Sequence, residues 1–354
     1  MILQGPLSKK LLKWHEKNKR DLPWKKTRDP YKIWLSEIVL QQTRVEQGTP
    51  YYEKLIREFP TVKHLAEARE DDVMKAWQGL GYYTRARNAH AAAKQVMTDF
   101  GGKLPPSHDE ILKLRGIGAY TAAAIASFAF GLPHAVVDGN VFRVLSRIFG
   151  IRKPIDSTEG KRFFIKLAND LLDKKDPGEY NQAIMNFGSM VCTPVNPACD
   201  QCVFRRSCFA FNHQQVSEFP VKSKKNSVRI RWFNFLVFED GKKIIIEKRK
   251  EKDIWNSLFQ FPLIETETFA DPKEILNIIS QKKIAAKSHI RVVGVSSVIQ
   301  HKLSHQTIMA QFIKISLPHK KIKMQHGWLA VRMPALKKFG FPKLIVNYFE
   351  KLLL

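Results

Sequence analysis

Four cysteines, Cys192, Cys199, Cys202 and Cys208, are the only ones in this 354-residue chain, and they follow the spacing C-x6-C-x2-C-x5-C. Four thiols within one short segment can close around a single ion or cluster. Structural zinc favours two closely spaced pairs separated by a longer loop. A compact run with one C-x-x-C equally suits a [4Fe–4S] cluster. Spacing alone leaves both open. Disulfides fit less well, because stapled secreted proteins scatter their cysteines; the clustering argues for a reducing compartment. Arg205 and Arg206 lie inside the segment, where a pinned loop would turn them toward phosphate.

A second constellation lies upstream. The stretch Asp109–Phe130 reads as a short helix, a Gly116-Ile-Gly118 turn and an Ala-rich helix. Two glycines let a backbone approach closely, and the helix start presents N–H groups, which makes a seat for phosphate without a charged side chain. A glycine-capped turn between helices is the plainer reading. Asp138 stands before the next apolar helix, where it caps and also suits stabilising positive charge on a substrate. Glu37 shares a helical stripe with Ile33, Trp34, Ile38 and Gln41. Most helix glutamates are solvated, but one among Trp and Ile would hold a proton near neutrality. A protonated Glu with an ionised Asp is the pair that cleaves glycosidic bonds.

The elements that must position these groups come in two kinds. Residues 1–211 read as all-α, with apolar residues at three- and four-residue intervals and Pro or Gly between the runs. Residues 212–227 read as a polar, basic linker. Residues 228–354 read as α+β: a hairpin about Asp240–Gly241, a helix at 273–281, strands at 290–298 and 307–315, and a helix over 334–353. No apolar run reaches membrane-spanning length and no secretory signal is evident, so a membrane role is not expected.

Charge narrows the partner. Lys and Arg number 59 against 33 Asp and Glu, a net +26. Residues 222–354 hold +16 of it. Such an excess calls for a polyanion, and nucleic acid leads.

Together, LRGIGAYTAAAIASFAFGLPHAVVDGN, LSEIVLQQTRV before it and the cysteine spacing after it resemble the helix-hairpin-helix DNA glycosylases with an iron–sulfur cluster. Within that superfamily the chain resembles the adenine DNA glycosylases of the MutY type. The resemblance covers most of residues 8–210 and implies a [4Fe–4S] cofactor at 192–208. It implies that Glu37 protonates the leaving adenine and that Asp138 stabilises the sugar cation. Tyr120 and Asn140 would position that pair and the water. Gln42 and Tyr82 would wedge into the base stack, filling the hole that a flipped nucleotide leaves. Bifunctional relatives of the endonuclease III type carry a lysine nucleophile where Tyr120 stands, so a Schiff-base lyase step through this position is not expected.

The second half resembles the family's Nudix-like domain, without the acidic signature of nucleotide hydrolysis. Leu303, Ser304 and His305 align with its Phe-Ser-His loop that contacts 8-oxoguanine, with Leu in place of Phe. The expected protein is thus a monomeric glycosylase of base excision repair. Its substrate is duplex DNA bearing adenine opposite 8-oxoguanine or guanine. Its setting is cytoplasmic at the nucleoid, or nuclear or mitochondrial in a eukaryote. Two alternatives stand beside it: a bifunctional pyrimidine glycosylase with lyase activity, and a non-catalytic damage-binding protein.

Overall fold

The computed structural model describes residues 4–223, 229–240, 243–250, 253–286, 290–316 and 322–352. Two compact units result. One comprises Met1–Glu67 with Asn88–Lys225, the other Ala68–Arg87 with Asn226–Leu354. The helices in chain order are α1 (Gln4–Glu16), α2 (Pro30–Leu40), α3 (Val45–Glu58), α4 (Val62–Glu67), α5 (Glu70–Ala76) and α6 (Thr84–Asp99). They continue with α7 (His108–Lys113), α8 (Ala119–Phe130), α9 (Gly139–Phe149), α10 (Thr158–Leu171), α11 (Pro177–Met190) and α12 (Phe209–Asn212).

Local chemistry sets the helix starts in the first unit. Asp29, Asp138, Ser157 and Asp176 each cap with a side-chain oxygen that accepts a first-turn N–H, and Pro30 and Pro177 follow two of those caps. α2 is buried from Tyr31 through Val39, apart from the half-buried Lys32. α8 is buried without interruption from Thr121 to Ser127. Alanine is what lets these two helices pack closely. Gln41 Nε2 donates to Thr121 Oγ1 at 3.1 Å, a polar tie between them. A separate core joins α1, α9, α10 and α11 to the cysteine segment through Leu11, Leu145, Phe164, Ile184, Phe187 and Phe204.

The second unit is built on an eight-stranded sheet: β1 (Arg229–Asp240), β2 (Lys243–Lys248), β3 (Phe259–Gln260), β4 (Leu263–Thr266), β5 (Arg291–Val295), β6 (Ile299–Lys302), β7 (Gln306–Ser316) and β8 (Trp328–Arg332). β1 runs parallel to β7 along its length and antiparallel to β4. Helix α13 (Pro272–Gln281) joins β4 to β5, and α14 (Lys343–Leu352) follows β8. Ile275 and Ile279 of α13 join the apolar core of Leu236, Phe238, Ile313 and Ile315. Tyr348 of α14 stacks on Phe312 at 3.8 Å, with Phe235 stacked on Phe312 at 5.0 Å. With both faces covered, the β1 run Phe233–Phe238 is apolar apart from Asn234. Buried Asn234 donates to Ile264 O and Thr266 Oγ1 and accepts from Gln311.

Several sequence expectations change here. Residues 68–87 cluster with the sheet: Lys248 Nζ meets Asp71 Oδ1 at 2.6 Å, and Lys75 Nζ donates to Phe339 O at 3.1 Å. A boundary drawn along the chain misses such an excursion. The expected linker does not run free over its described part. Phe219 is buried, Arg147 Nε donates to Phe219 O, and Ser223 N donates to Asp156. The expected strand 290–298 is shorter, β5 with a register shift between Val292 and Gly294; it stops at Val295, Ser296 Oγ then accepts the Phe312 N–H, and β6 begins only at Ile299. The expected helix 334–353 is a 3₁₀ segment, Met333–Lys338, and α14, separated by Gly340 and Pro342. Strands β1 and β2 pair only at their adjoining ends, and the turn after Asp240 lies outside the described residues. The strands β3, β4 and β8 had no sequence signal.

Phe187 is 1% exposed and packs edge-on against Trp14 at 5.1 Å and Phe204 at 5.2 Å. Phe187→Ala should cost about 3–5 kcal/mol in denaturant unfolding, and a loss under 1 kcal/mol would contradict this packing.

Candidate active site

Glu37 projects from the middle of α2, where both flanking turns are buried, and is itself 5% exposed. Tyr120, in the first turn of α8, donates its hydroxyl hydrogen to Glu37 Oε2 at 2.8 Å. Burial pushes the Glu37 carboxyl up to about 7, and the charge of nearby Asp138 adds to the rise. The Tyr120 hydroxyl and the Lys25 ammonium act the other way, too weakly to cancel the burial. Burial likewise raises the Tyr120 phenol well above its ordinary range, so it remains a donor.

Asp138 is held at the start of α9. Oδ1 accepts the Val141 N–H at 2.8 Å, and Oδ2 accepts from Asn140 Nδ2 at 2.7 Å. The capping reading of Asp138 therefore holds, and its second oxygen is taken by Asn140. Burial raises its pKa, while the Val141 and Asn140 hydrogen bonds and Arg143 oppose the rise. Four sequence-derived residues are thus brought together in two hydrogen-bonded pairs, Glu37–Tyr120 and Asp138–Asn140.

Two neighbours escaped the sequence reading. Arg143, 7% exposed, donates to Asn140 Oδ1 at 2.8 Å, to Gly188 O at 2.6 Å and to Cys192 O at 2.6 Å. Arg147, 2% exposed, donates to Thr193 O at 2.7 Å and stands 3.5 Å from Cys192 Sγ. Their signal was two arginines four apart in the apolar stretch VFRVLSRIF. Gly188 carries the same fit from the other side, since a Cβ there would sit 2.6 Å from Asn140 Cβ.

Glu37 also faces a cavity of about 750 Å³, large enough for a purine base, whose wall includes Arg20, Trp24, Lys25, Glu179 and Gln182. Burial, then Arg20, lowers the Lys25 ammonium to about 8. Tyr120 lines a second cavity of about 290 Å³ with Val137 and Phe142.

The four cysteines are unbridged and line one small, largely apolar cavity with Arg147, Phe187 and Phe211. Burial raises the Cys199, Cys202 and Cys208 thiols, Cys202 to about 11. Four soft sulfur donors converging on one dry pocket fit an iron–sulfur centre, whose positive charge would offset the burial that disfavours thiolate. As the side chains stand, no group of three or more His, Cys, Asp or Glu among the described residues could hold a metal ion. Arg205 and Arg206 are exposed beside the site, Arg205 over the Phe211 ring at 5.0 Å.

The remaining sequence candidates are dispersed. Gly116 has φ 76°, and a Cβ there would stand 2.4 Å from Asn88 Cβ, so only glycine fits. A Cβ at Gly118 would meet nothing within 4 Å among the described residues, and no side chain caps α8 there. Gln42 and Tyr82 are both exposed with φ 56° and 48°, left-handed turn positions that push their side chains outward. In the second unit Tyr82 hydrogen-bonds Ser304, and Leu303, Ser304 and His305 line a cleft of about 490 Å³ with it.

Residues 35–168 match the HhH-GPD superfamily of base excision DNA repair proteins, and residues 234–351 match the NUDIX domain. The adenine DNA glycosylase of Buchnera aphidicola from Acyrthosiphon pisum is 31% identical over 97% of this chain and 96% of its own length. That of the Baizongia pistaciae symbiont is 36% identical over 84% and 82%. The human adenine DNA glycosylase is 42% identical over 56% of this chain and 38% of its own. Among solved structures, a thermostable thymine-DNA glycosylase is 28% identical with a TM-score of 0.56, covering 59% of this chain and 97% of that one. No helix among the described residues is long and apolar enough to cross a membrane. By its likeness along nearly the whole length of such a relative, the chain belongs to the adenine DNA glycosylase family.

Proposed function

We propose that this protein is a monofunctional DNA N-glycosylase of base excision repair, acting as a monomer on duplex DNA. It removes adenine mispaired with 8-oxoguanine or guanine. The observation that carries the reading is the buried Glu37 carboxyl, held up to about 7 beside the Asp138–Asn140 pair. With the adenine flipped into the cavity that Glu37 faces, protonated Glu37 gives its proton to a ring nitrogen. That makes the base a neutral leaving group as the C1′–N9 bond breaks. Asp138 stabilises the cation left on the sugar, oriented by Val141 N–H and the Asn140 amide. Water completes hydrolysis. Tyr120 has no amine, so no Schiff base forms at that position.

The roles outside the pocket follow. The Gly116–Gly118 turn seats a backbone phosphate, Gln42 and Tyr82 fill the stack, and Arg205 and Arg206 meet phosphate. Cys192, Cys199, Cys202 and Cys208 would hold a [4Fe–4S] cluster. When bound, it supplies a structural crosslink and the charge that keeps four thiolates together. Leu303, Ser304 and His305 read the base opposite the adenine. Met1–Glu67 with Asn88–Lys225 form the catalytic unit, and Ala68–Arg87 with Asn226–Leu354 the recognition unit. The setting is wherever the cell keeps its DNA.

Duplex oligonucleotides with one adenine opposite 8-oxoguanine test the reading. The wild type should release adenine and leave an intact strand that breaks only in alkali. Glu37→Gln and Asp138→Asn should each lose at least about a hundredfold in single-turnover rate. Undiminished release by Glu37→Gln would sink the mechanism, and breaks without alkali would favour the lyase alternative.

Glu37 must carry its proton to act, so the rate should fall as pH rises through about 7. The Tyr120 hydrogen bond favours the carboxylate. Tyr120→Phe should therefore move that falling limb to higher pH while lowering the plateau; a limb that stays or moves down counts against the assignment. Cys202→Ser should abolish the broad visible absorbance of an iron–sulfur cluster and weaken duplex binding; a wild type without that absorbance argues against the cluster, and a variant that keeps it argues against Cys202 as a ligand.

A further inference from the structure

The chain between α8 and α9 delivers Asp138, yet it contains no helix or strand. Gly131, with φ 65°, ends α8, and residues 132–137 lead from there to the Asp138 cap. Ala135 and Val136 in this loop are buried. Buried backbone groups that no regular element satisfies must find partners among side chains.

Beyond the loop, the Asp138 carboxylate is fixed by the Val141 N–H and the Asn140 amide. Ahead of it the hold comes from α11. Asn181 is 0% exposed; its Oδ1 accepts the Val136 N–H at 3.0 Å and its Nδ2 donates to His134 O at 2.9 Å. The same Nδ2 donates to Ser127 Oγ of α8 at 3.0 Å. The orientation of the amide follows, because a backbone N–H can only donate and a carbonyl can only accept.

Two further contacts steady the loop. Asn169 of α10 accepts the Ala135 N–H at 3.0 Å, and the His134 ring stacks on His108 at 4.1 Å. Neither Asn169 nor His108 lines the cavity that Glu37 faces. Asn181 is different, because its partner Ser127 lines that cavity, as does Gln182, the next residue on α11. Val136, whose N–H it holds, packs with Ala123 and Ala124 in a small core against which Tyr120 rests.

We propose that Asn181 is a positioning residue for the excision step, fixing the Asp138 carboxylate relative to the cavity that receives the base. This rests on the reading above that Asp138 stabilises the sugar cation. A carboxylate stabilises a cation developing at one atom only from the right place, and a shift of about 1 Å can cost about a hundredfold in rate. Wholly buried, with both N–H groups and its oxygen engaged, Asn181 acts through the loop backbone and not on the substrate. Removing the amide strands the Val136 N–H and the His134 carbonyl, and the loop relaxes toward other partners, carrying Asp138 with it.

The test compares single-turnover release of adenine with affinity for a duplex carrying a non-hydrolysable adenine nucleotide. Asn181→Ala should slow release by at least about tenfold, while affinity stays within about twofold. In an Asp138→Asn background the same substitution should cost under about threefold, since the group it positions is already gone. A merely structural role would lower rate and affinity together and add its full cost in either background. Asn181→Ser leaves a hydroxyl and room for a water, which keeps the fold where Asn181→Ala does not; it should show the same split, because a water fixes no loop. Release at the wild-type rate by either variant, joint loss of rate and affinity, or full additivity with Asp138→Asn overturns the proposal. If Asp138→Asn is slow while Asn181→Ala is not, only the Asn181 role falls. If Asp138→Asn releases adenine at the wild-type rate, the reading of Asp138 falls and this proposal with it.

Discussion

The proposed chemistry depends on keeping one carboxyl dry. Glu37 sits in a helix buried almost throughout, and withdrawing its carboxylate from water is the largest influence on its protonation. The same burial would be a cost with no return if Tyr120 did not satisfy one oxygen. That single bond limits how far the proton affinity rises. The group is thereby left poised near neutrality, and a proton held too tightly would be no better for catalysis than one already lost.

The second carboxyl solves the opposite problem. Asp138 is also buried, yet it stands where the first amides of α9 point, with an Asn side chain on its other oxygen. Burial raises both carboxyls, and what opposes the rise differs: one neutral phenol for Glu37, a helix start and an amide for Asp138. α9 then extends the constraint outward. Arg143 on the same helix holds Asn140 with one nitrogen and the Cys192 carbonyl with another. The cysteine segment is therefore mechanically tied to Asn140 through one guanidinium.

How much of this could be read along the chain follows from range. Glu37 was legible because an acid within a Trp and Ile stripe is locally anomalous, and Asp138 because a cap before an apolar helix is a local pattern. The helices were legible for the same reason. The pairing of β1 with β7 was not, since it joins residues 77 apart, as Arg229 to Gln306. The affiliation of 68–87 with the sheet rests on isolated contacts such as Asp71–Lys248, which leave no periodic trace. Arg143 and Arg147 fall between these cases: their spacing was visible, but their carbonyl partners belong to the cysteine segment. Trp255 gave no sign, because nothing in a Trp-Asn-Ser run announces a left-handed backbone.

Charge has a narrower role than its size suggests. The net +26 grips a polyanion and makes binding salt-sensitive, yet phosphates are alike at every position. Choosing a base requires groups that are fixed, since a mobile group pays the same for right and wrong partners. The side chains proposed for that work are hydrogen-bonded among themselves, Glu37 with Tyr120 in the first unit and Tyr82 with Ser304 in the second, which fixes their direction. The left-handed Tyr82 and Trp255 both line the cleft of that second unit. Strain of this kind is retained where a side chain must point in one direction, which is a requirement of discrimination and not of affinity.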